Sequence, residues 1–148
     1  MIEIKLDIEL AQPTEYETEI VRQFTKDFNL DGEEFKKEQF IIAKSNNRVL
    51  GFGREKKHHD CTEISTLGVV REFRNQGIGK SIVTELIKRI KSEIIFVVTV
   101  IPDYFCQFGF KTTNELPDSL KSKSEFCGSF SNTDIVSVMI LNKRTLQG

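Results

Sequence analysis

The chain has 148 residues, 39% of them hydrophobic and 29% charged, with 21 lysines and arginines against 22 aspartates and glutamates and a formal net charge of -1. That is one domain's length, enough to enclose a core, and the balanced charge argues against a dedicated nucleic-acid binder, which carries a basic excess. No run approaches the roughly 18 apolar residues of a membrane helix, and the charged alternation of MIEIKLDIEL is neither a signal nor a transit peptide.

Three widely spaced cysteines, Cys61, Cys106 and Cys127, read as reduced thiols rather than a disulfide framework. A soluble cytoplasmic protein with no membrane or nucleic-acid partner is the expectation.

Ile2, Ile4, Leu6, Ile8 and Leu10 alternate with charged residues at the period of a half-buried strand. After Pro13, a helix is predicted from about residue 14 to 28, with Tyr16, Ile20, Val21, Phe24 and Phe28 on its apolar face. Gln39–Lys44 and Arg48–Arg54 read as a hairpin closed by Ser45-Asn46-Asn47. Gly51 and Gly53 in its second strand predict a bulge or a close approach by another segment. The charged tract Glu55–Asp60 is expected to turn the chain into a strand over Thr62–Val70.

A polar connection, Arg71–Gly77, precedes a predicted amphipathic helix, Ile78–Lys91, whose stripe is Ile78, Ile82, Val83, Leu86, Ile87 and Ile90. Ile94–Val100 is almost unbroken in its β-branched and apolar character, as in a strand buried on both faces. Strand, helix and strand then make a right-handed βαβ unit. Pro102 starts a short helix ending at Gly109, Phe110 opens a short strand, Leu116–Thr133 reads as a long loop, and Asp134–Leu141 as a final strand. The expected fold is one mixed α/β (α+β) domain over residues 1–148: a mainly antiparallel sheet with a central parallel strand pair joined by a crossover helix.

The chemistry-bearing segment is Arg74-Asn75-Gln76-Gly77-Ile78-Gly79-Lys80, between strand and helix. Glycines there let a ligand come close to the backbone. The first amides of a helix lack internal partners and carry the positive end of its dipole, so the turn is suited to a pyrophosphate. A Rossmann fingerprint would need a third glycine at position 82, which is Ile82. A Walker A loop would need a glycine at position 74, which is Arg74, and the strand Ile94–Val100 lacks the aspartate that helps hold magnesium.

Arg74-x-x-Gly77-x-Gly79 resembles the Gln/Arg-x-x-Gly-x-Gly/Ala motif of the GNAT N-acetyltransferases, which bind the pyrophosphate of acetyl-CoA. Glu63-Ile64-Ser65-Thr66-Leu67-Gly68-Val69 is similar to the family's fourth strand, and Phe108-Gly109-Phe110 to its Gly-Phe signature. The resemblance spans about half of the chain and implies a GNAT-like fold with acetyl-CoA as co-substrate. It also implies transfer of the acetyl group to a primary amine of a small molecule or peptide, by direct attack on the thioester.

On that resemblance, Leu67, Gly68 and Val69 pair with the pantetheine arm, and the amides from Gln76 to Lys80 (Gln76, Gly77, Ile78, Gly79, Lys80), with Arg74 and Asn75, hold the pyrophosphate. Glu63 stands at the family's glutamate position as general base and is expected to share a strand face with Ser65, Leu67 and Val69. Where many members carry the tyrosine that protonates the leaving thiolate, this chain has Phe105, preceded by Tyr104, which becomes the candidate acid. This departure keeps open a second function: an acyl-CoA-binding sensor or partner module with weak or no catalysis.

The pair Tyr104-Phe105 ahead of Gly-Phe, with Leu116-Pro117 downstream, is also similar to the acetyltransferase domains of N-acetylglutamate synthases. An amino-acid acceptor would then call for an arginine, with Arg54 and Arg22 as candidates. His58-His59-Asp60-Cys61 is read as a solvated turn with no metal role, since adjacent residues on an extended segment diverge. The final strand is one that would serve to pair two copies in a homodimer.

Overall fold

Thr14 begins the first helix because it and Glu17 cap each other. The Thr14 hydroxyl accepts from the Glu17 amide at 3.1 Å, and the Glu17 carboxylate accepts from the Thr14 amide at 3.0 Å. In the computed structural model, which describes residues 7–30, 32–121 and 136–147, helix α1 runs over Glu15–Asp27 and follows the short strand β1, Glu9–Ala11. Its Val21, Phe24 and Phe28 pack with Phe40, Ile42, Val49 and Phe52 on one face of the sheet. Tyr16, assigned to that apolar face by spacing, is 76% exposed. It stands in the first turn, whereas the helix meets this core only from Ile20 onward.

Strands β2 (Phe40–Ser45) and β3 (Arg48–Lys57) form the predicted hairpin. Asn46 and Asn47 take φ of 51° and 63°, the left-handed conformation that a two-residue hairpin turn requires and asparagine tolerates. β3 is longer than its sequence suggested. Glu55–Lys57 continue it, paired with β4 (Thr62–Val69) as far as Lys57↔Thr62. The charges of Glu55 and Lys56 do not mark a turn: both residues are buried, and Glu55 is paired with Arg89 at 3.6 Å and Lys57 at 3.9 Å.

Helix α2 (Ile78–Arg89) lies on the other face, where Ile78, Ile82, Val83 and Leu86 join Ile41, Ile64, Ile95 and Met139 in the main core. The glycines of β3 let it settle there: a Cβ on Gly53 would stand 2.6 Å from Ile82 Cγ2 and 2.9 Å from Leu86 Cδ1. Beyond α2 come β5 (Ile94–Thr99), α3 (Pro102–Cys106), β6 (Lys111–Thr112), α4 (Asp118–Lys121) and β7 (Ser137–Asn142). The sheet order is β1-β2-β3-β4-β5-β7-β6, antiparallel throughout except for β4 and β5. The helix α4 falls inside the stretch read as a loop. The final strand lies between β5 and β6 rather than at an edge, so the pairing of two copies through it finds β6 already against Met139 and Ile140. Cys127 and residues 2–6 of the predicted first strand lie outside the described residues.

Among the described residues no helix is long and apolar enough to cross a membrane. Because the Gly53 site has no room for a side chain, Gly53→Val should lower stability by about 1–3 kcal/mol, as overpacking does, which urea unfolding would measure. A Gly53→Val protein as stable as the parent would mean that α2 does not press on β3 as described.

Candidate active site

β4 and β5 are bridged at a single position, Glu63↔Phe96, whereas β5 and β7 pair along the whole of Ile94–Thr99. A β-bulge drives the parting. Between Phe52 and Arg54 of β3 there are two steps, but between their partners Gly68 and Ser65 there are three, and Thr66 takes φ of 52°. A β-branched residue in that conformation is an outlier that the surrounding structure must enforce. The extra residue reverses the alternation of the strand. Ile64, Leu67 and Val69 all meet the α2 core, so Glu63 and Ser65 do not share a face with Leu67 and Val69 as strict alternation predicted.

Past the bulge a cleft of about 620 Å³ opens beside β4. Leu67, Gly68 and Val69 form one wall. Arg74, Asn75 and Gly77, with Ile78, Gly79 and Lys80 of α2, form the end, and Ile101, Tyr104 and Gln107 form the wall opposite. Every binding candidate from the sequence except Gln76, which is exposed on the turn, lies in this lining.

The turn leaves backbone amides open at the start of α2. Gly77, with φ of 82°, is the cap of α2, and a Cβ there would meet nothing within 4 Å. The first hydrogen bonds to the helix's own carbonyls come from Ser81, whose amide donates to Gly77 O at 3.0 Å. The amides of Ile78, Gly79 and Lys80 therefore precede the helical ladder at the positive end of the dipole. Gly79 keeps the cradle clear, since a Cβ there would come within 2.8 Å of Tyr104 Oη. Arg74 is fixed by donation from Nε to Val69 O at 2.9 Å and by stacking over Phe28 at 5.5 Å. These features fit a diphosphate-bearing ligand with an extended arm along Leu67–Val69, where a strand edge accepts a partner as another strand would.

Tyr104 and Phe105 divide as neighbours on a helix must. Tyr104 lines the cleft, and partial burial raises its phenol above the usual range. Phe105 is buried in the core, edge-on to Phe110 at 5.8 Å. Glu63 is 1% exposed and faces His58, whose Nε2 lies 2.7 Å from Glu63 Oε1. The segment read as a solvated turn thus supplies a partner to the candidate base, which residue spacing alone did not signal. Among the described residues no group of three or more histidines, cysteines, aspartates or glutamates is placed to hold a metal ion. Cys106 is exposed, and the Cys61 thiol hydrogen-bonds the Asp60 carboxyl.

Neither arginine proposed for an acceptor carboxylate lines the cleft. Arg54 is fully buried and donates to Gln39 Oε1 at 3.0 Å, to Glu34 O at 2.8 Å and to Glu33 O, while lying over Phe35 and Phe40. It straps the segment 33–39 to the sheet. Arg22 pairs with Glu19 and stacks on Phe35. Sequence reasoning did not single out Ile101 and Gln107, whose place in the cleft follows only from where α3 lands after β5.

Residues 5–105 match the model of the acetyltransferase (GNAT) family. The fold is similar to that of N-acetylglutamate synthase from Neisseria gonorrhoeae complexed with coenzyme A and N-acetyl-glutamate, with a TM-score of 0.72 at 16% identity over 94% of this chain and 36% of that one. It is also similar to Rv2747 from Mycobacterium tuberculosis in complex with CoA and NLQ, with a TM-score of 0.73 at 17% identity over 90% and 98% of the two chains. Diaminobutyrate acetyltransferase EctA from Paenibacillus lautus, solved with L-2,4-diaminobutyric acid and coenzyme A, gives 0.67 at 14% identity over 94% and 96%. The chain spans about a third of the length of the Neisseria synthase chains, and at these identities the likeness is one of fold.

Beside Glu63, the turn between β3 and β4 is latched to α4. Asp60 Oδ2 accepts from the Ser119 amide at 3.1 Å, and the Ser119 side chain and amide together hold the Asp60 carboxyl at about 2, below its ordinary 3.8. A depressed carboxyl stabilises the fold above its unfolded value and loses that contribution as pH falls through its folded value. The latch should therefore weaken between pH 3.8 and about 2. Carboxyl-carbon NMR should place the Asp60 midpoint near 2 and show it rise in Ser119→Ala. A parent midpoint near 3.8 would mean that the latch is not formed.

Proposed function

Because this chain belongs to the acetyltransferase (GNAT) family, we propose that it moves an acetyl group from acetyl-CoA to the primary amine of an amino-acid-sized acceptor, the amine attacking the thioester directly. The observation that carries this reading is the continuity of one cleft, from the strand edge Leu67–Val69 to the glycine turn that starts α2. The amino-acid class is supported by the acceptors and products named for the similar folds: N-acetyl-glutamate and L-2,4-diaminobutyric acid.

Acetyl-CoA supplies an activated acyl carbon. The chain's own residues do the rest by position. The amides of Ile78, Gly79 and Lys80, with Arg74, hold the diphosphate, and the edge of Leu67–Val69 aligns the pantetheine arm. An amide near Val69 meets the charge that develops on the carbonyl oxygen. An amine attacks only when unprotonated, so Glu63 takes its proton, through water. Tyr104, in the wall of the cleft, offers its hydroxyl to the departing thiolate.

A second reading, a binding module without turnover, is favoured by one observation: at the place where many family members carry tyrosine, Phe105 is buried and has no hydroxyl to give.

Two measurements separate these readings. Gly77→Asp puts a carboxylate in the cradle while keeping a residue type that tolerates the left-handed turn, and Gly77→Asn is its uncharged counterpart. Titration calorimetry should show acetyl-CoA binding weakened at least about tenfold by the aspartate beyond the effect of asparagine, about 1.4 kcal/mol. Equal affinities would remove the diphosphate from this turn. Turnover on L-glutamate, L-2,4-diaminobutyrate and a short peptide should then find an amino-acid acceptor, whereas binding without any turnover would select the module. In the active protein, Tyr104→Phe should lower kcat by about 100-fold, the lower end for a lost general acid, with KM for acetyl-CoA unchanged. A raised KM with kcat intact would make Tyr104 a cofactor-holding residue.

A further inference from the structure

The acetyl transfer proposed above, on which this inference rests, sets one proton free per turnover: an ammonium and a thioester give an amide, a thiol and H⁺. Glu63 receives that proton but is 1% exposed, so it has almost no surface from which to return it to bulk water. The cofactor cleft opens along Leu67–Val69, beyond the bulge at Thr66, and Glu63 is not part of its lining.

On the other side stands His58. Its Nε2 is 2.7 Å from Glu63 Oε1, its side chain is 11% exposed, and it borders two surface cavities, of about 600 and 320 Å³. Its place is fixed by the tight end of the β3–β4 hairpin, where the His58 amide donates to Cys61 O at 2.8 Å. The latch from Asp60 to Ser119 holds the same turn against α4.

We propose that His58 is the residue through which Glu63 returns the amine's proton to solvent. The amine's proton reaches Glu63 through water. In the Nδ1–H tautomer, His58 Nε2 takes the proton from the Glu63 carboxyl, leaving an imidazolium against a carboxylate. Nδ1–H then passes its proton to water in the bordering cavities, and exchange of the ring protons with that water resets the tautomer. No oxidant, metal or further reactant enters, and the protons balance: of the two that the ammonium loses, the first leaves through Glu63 and His58, and the second, shed from nitrogen as the amide forms, restores the Tyr104 hydroxyl that protonated the thiolate. Histidine suits this task because small changes of environment carry its charge state across neutral pH.

This makes His58 a positioning and relay residue that acts through Glu63, so the test must separate relaying from bracing. Turnover is followed with acetyl-CoA and the best acceptor among L-glutamate, L-2,4-diaminobutyrate and the short peptide. His58→Ala should lower kcat at least tenfold with KM for acetyl-CoA unchanged, and added imidazole should recover most of the loss. His58→Gln, which keeps a hydrogen-bond donor to Glu63 but cannot relay, should be as slow as His58→Ala even where the alanine variant folds poorly. Glu63→Gln should be slow and unresponsive to imidazole. Wild-type turnover in His58→Gln, or a loss in His58→Ala that imidazole does not touch, would make His58 a brace and overturn the relay while leaving Glu63 as base. Wild-type turnover in Glu63→Gln would overturn the base assignment itself, and a parent protein idle on every acceptor would overturn both.

Discussion

The rest of the site depends on the single bridge between β4 and β5. Two parallel strands that paired along their whole length would close the sheet and leave no cleft. Here they meet at Glu63↔Phe96 and then part, because Thr66 inserts one residue into β4 and bends it away. The bulge costs strain at a β-branched residue with φ of 52°, on the order of 1–3 kcal/mol for such a conformation. The packing on both faces of the sheet must hold it in place. One local irregularity thus does two things: it exposes the edge of Leu67–Val69 to the cleft, and it turns Glu63 toward the opposite face from Leu67 and Val69.

That division organises the proposed chemistry. On one side of the bulge lie the strand edge, the glycine turn and the helix dipole, which together suit an extended ligand ending in phosphates. On the other lie the buried carboxylate and its histidine, which suit the handling of a proton. The glycines of β3 connect the two halves: by letting α2 rest directly on the sheet, they set where its first amides point.

Much of this was legible in the sequence, for identifiable reasons. An asparagine-rich turn between apolar runs marked the hairpin, helical spacing marked α2, and an unbroken apolar run marked β5. The strand-to-helix turn Arg74–Lys80 was legible because glycines in a polar link mark a tight turn, and Gly77 takes φ of 82° there. What failed has two causes: alternation carried through a bulge, and side chains whose partners are distant in sequence. Alternation carried through 63–69 missed the bulge, because no residue type at Thr66 announces a left-handed conformation. The charged run Glu55–Lys57 looked like a turn because its burial depends on Arg89, far away in sequence. His58 looked solvated because its partner is reached only after the hairpin closes, and Arg54 looked available because its ligands are backbone carbonyls of a loop.

The central claim, that one cleft runs from the parted strands to the start of α2 and receives coenzyme A, is tested most directly by mapping backbone amide shifts while coenzyme A is titrated into the labelled protein. The account predicts saturable shifts in two separated clusters, Leu67–Val69 on β4 and Gly77–Lys80 at the helix start, with Glu63 and His58 little affected. Saturable shifts confined to other surfaces, or none at millimolar coenzyme A, would contradict it.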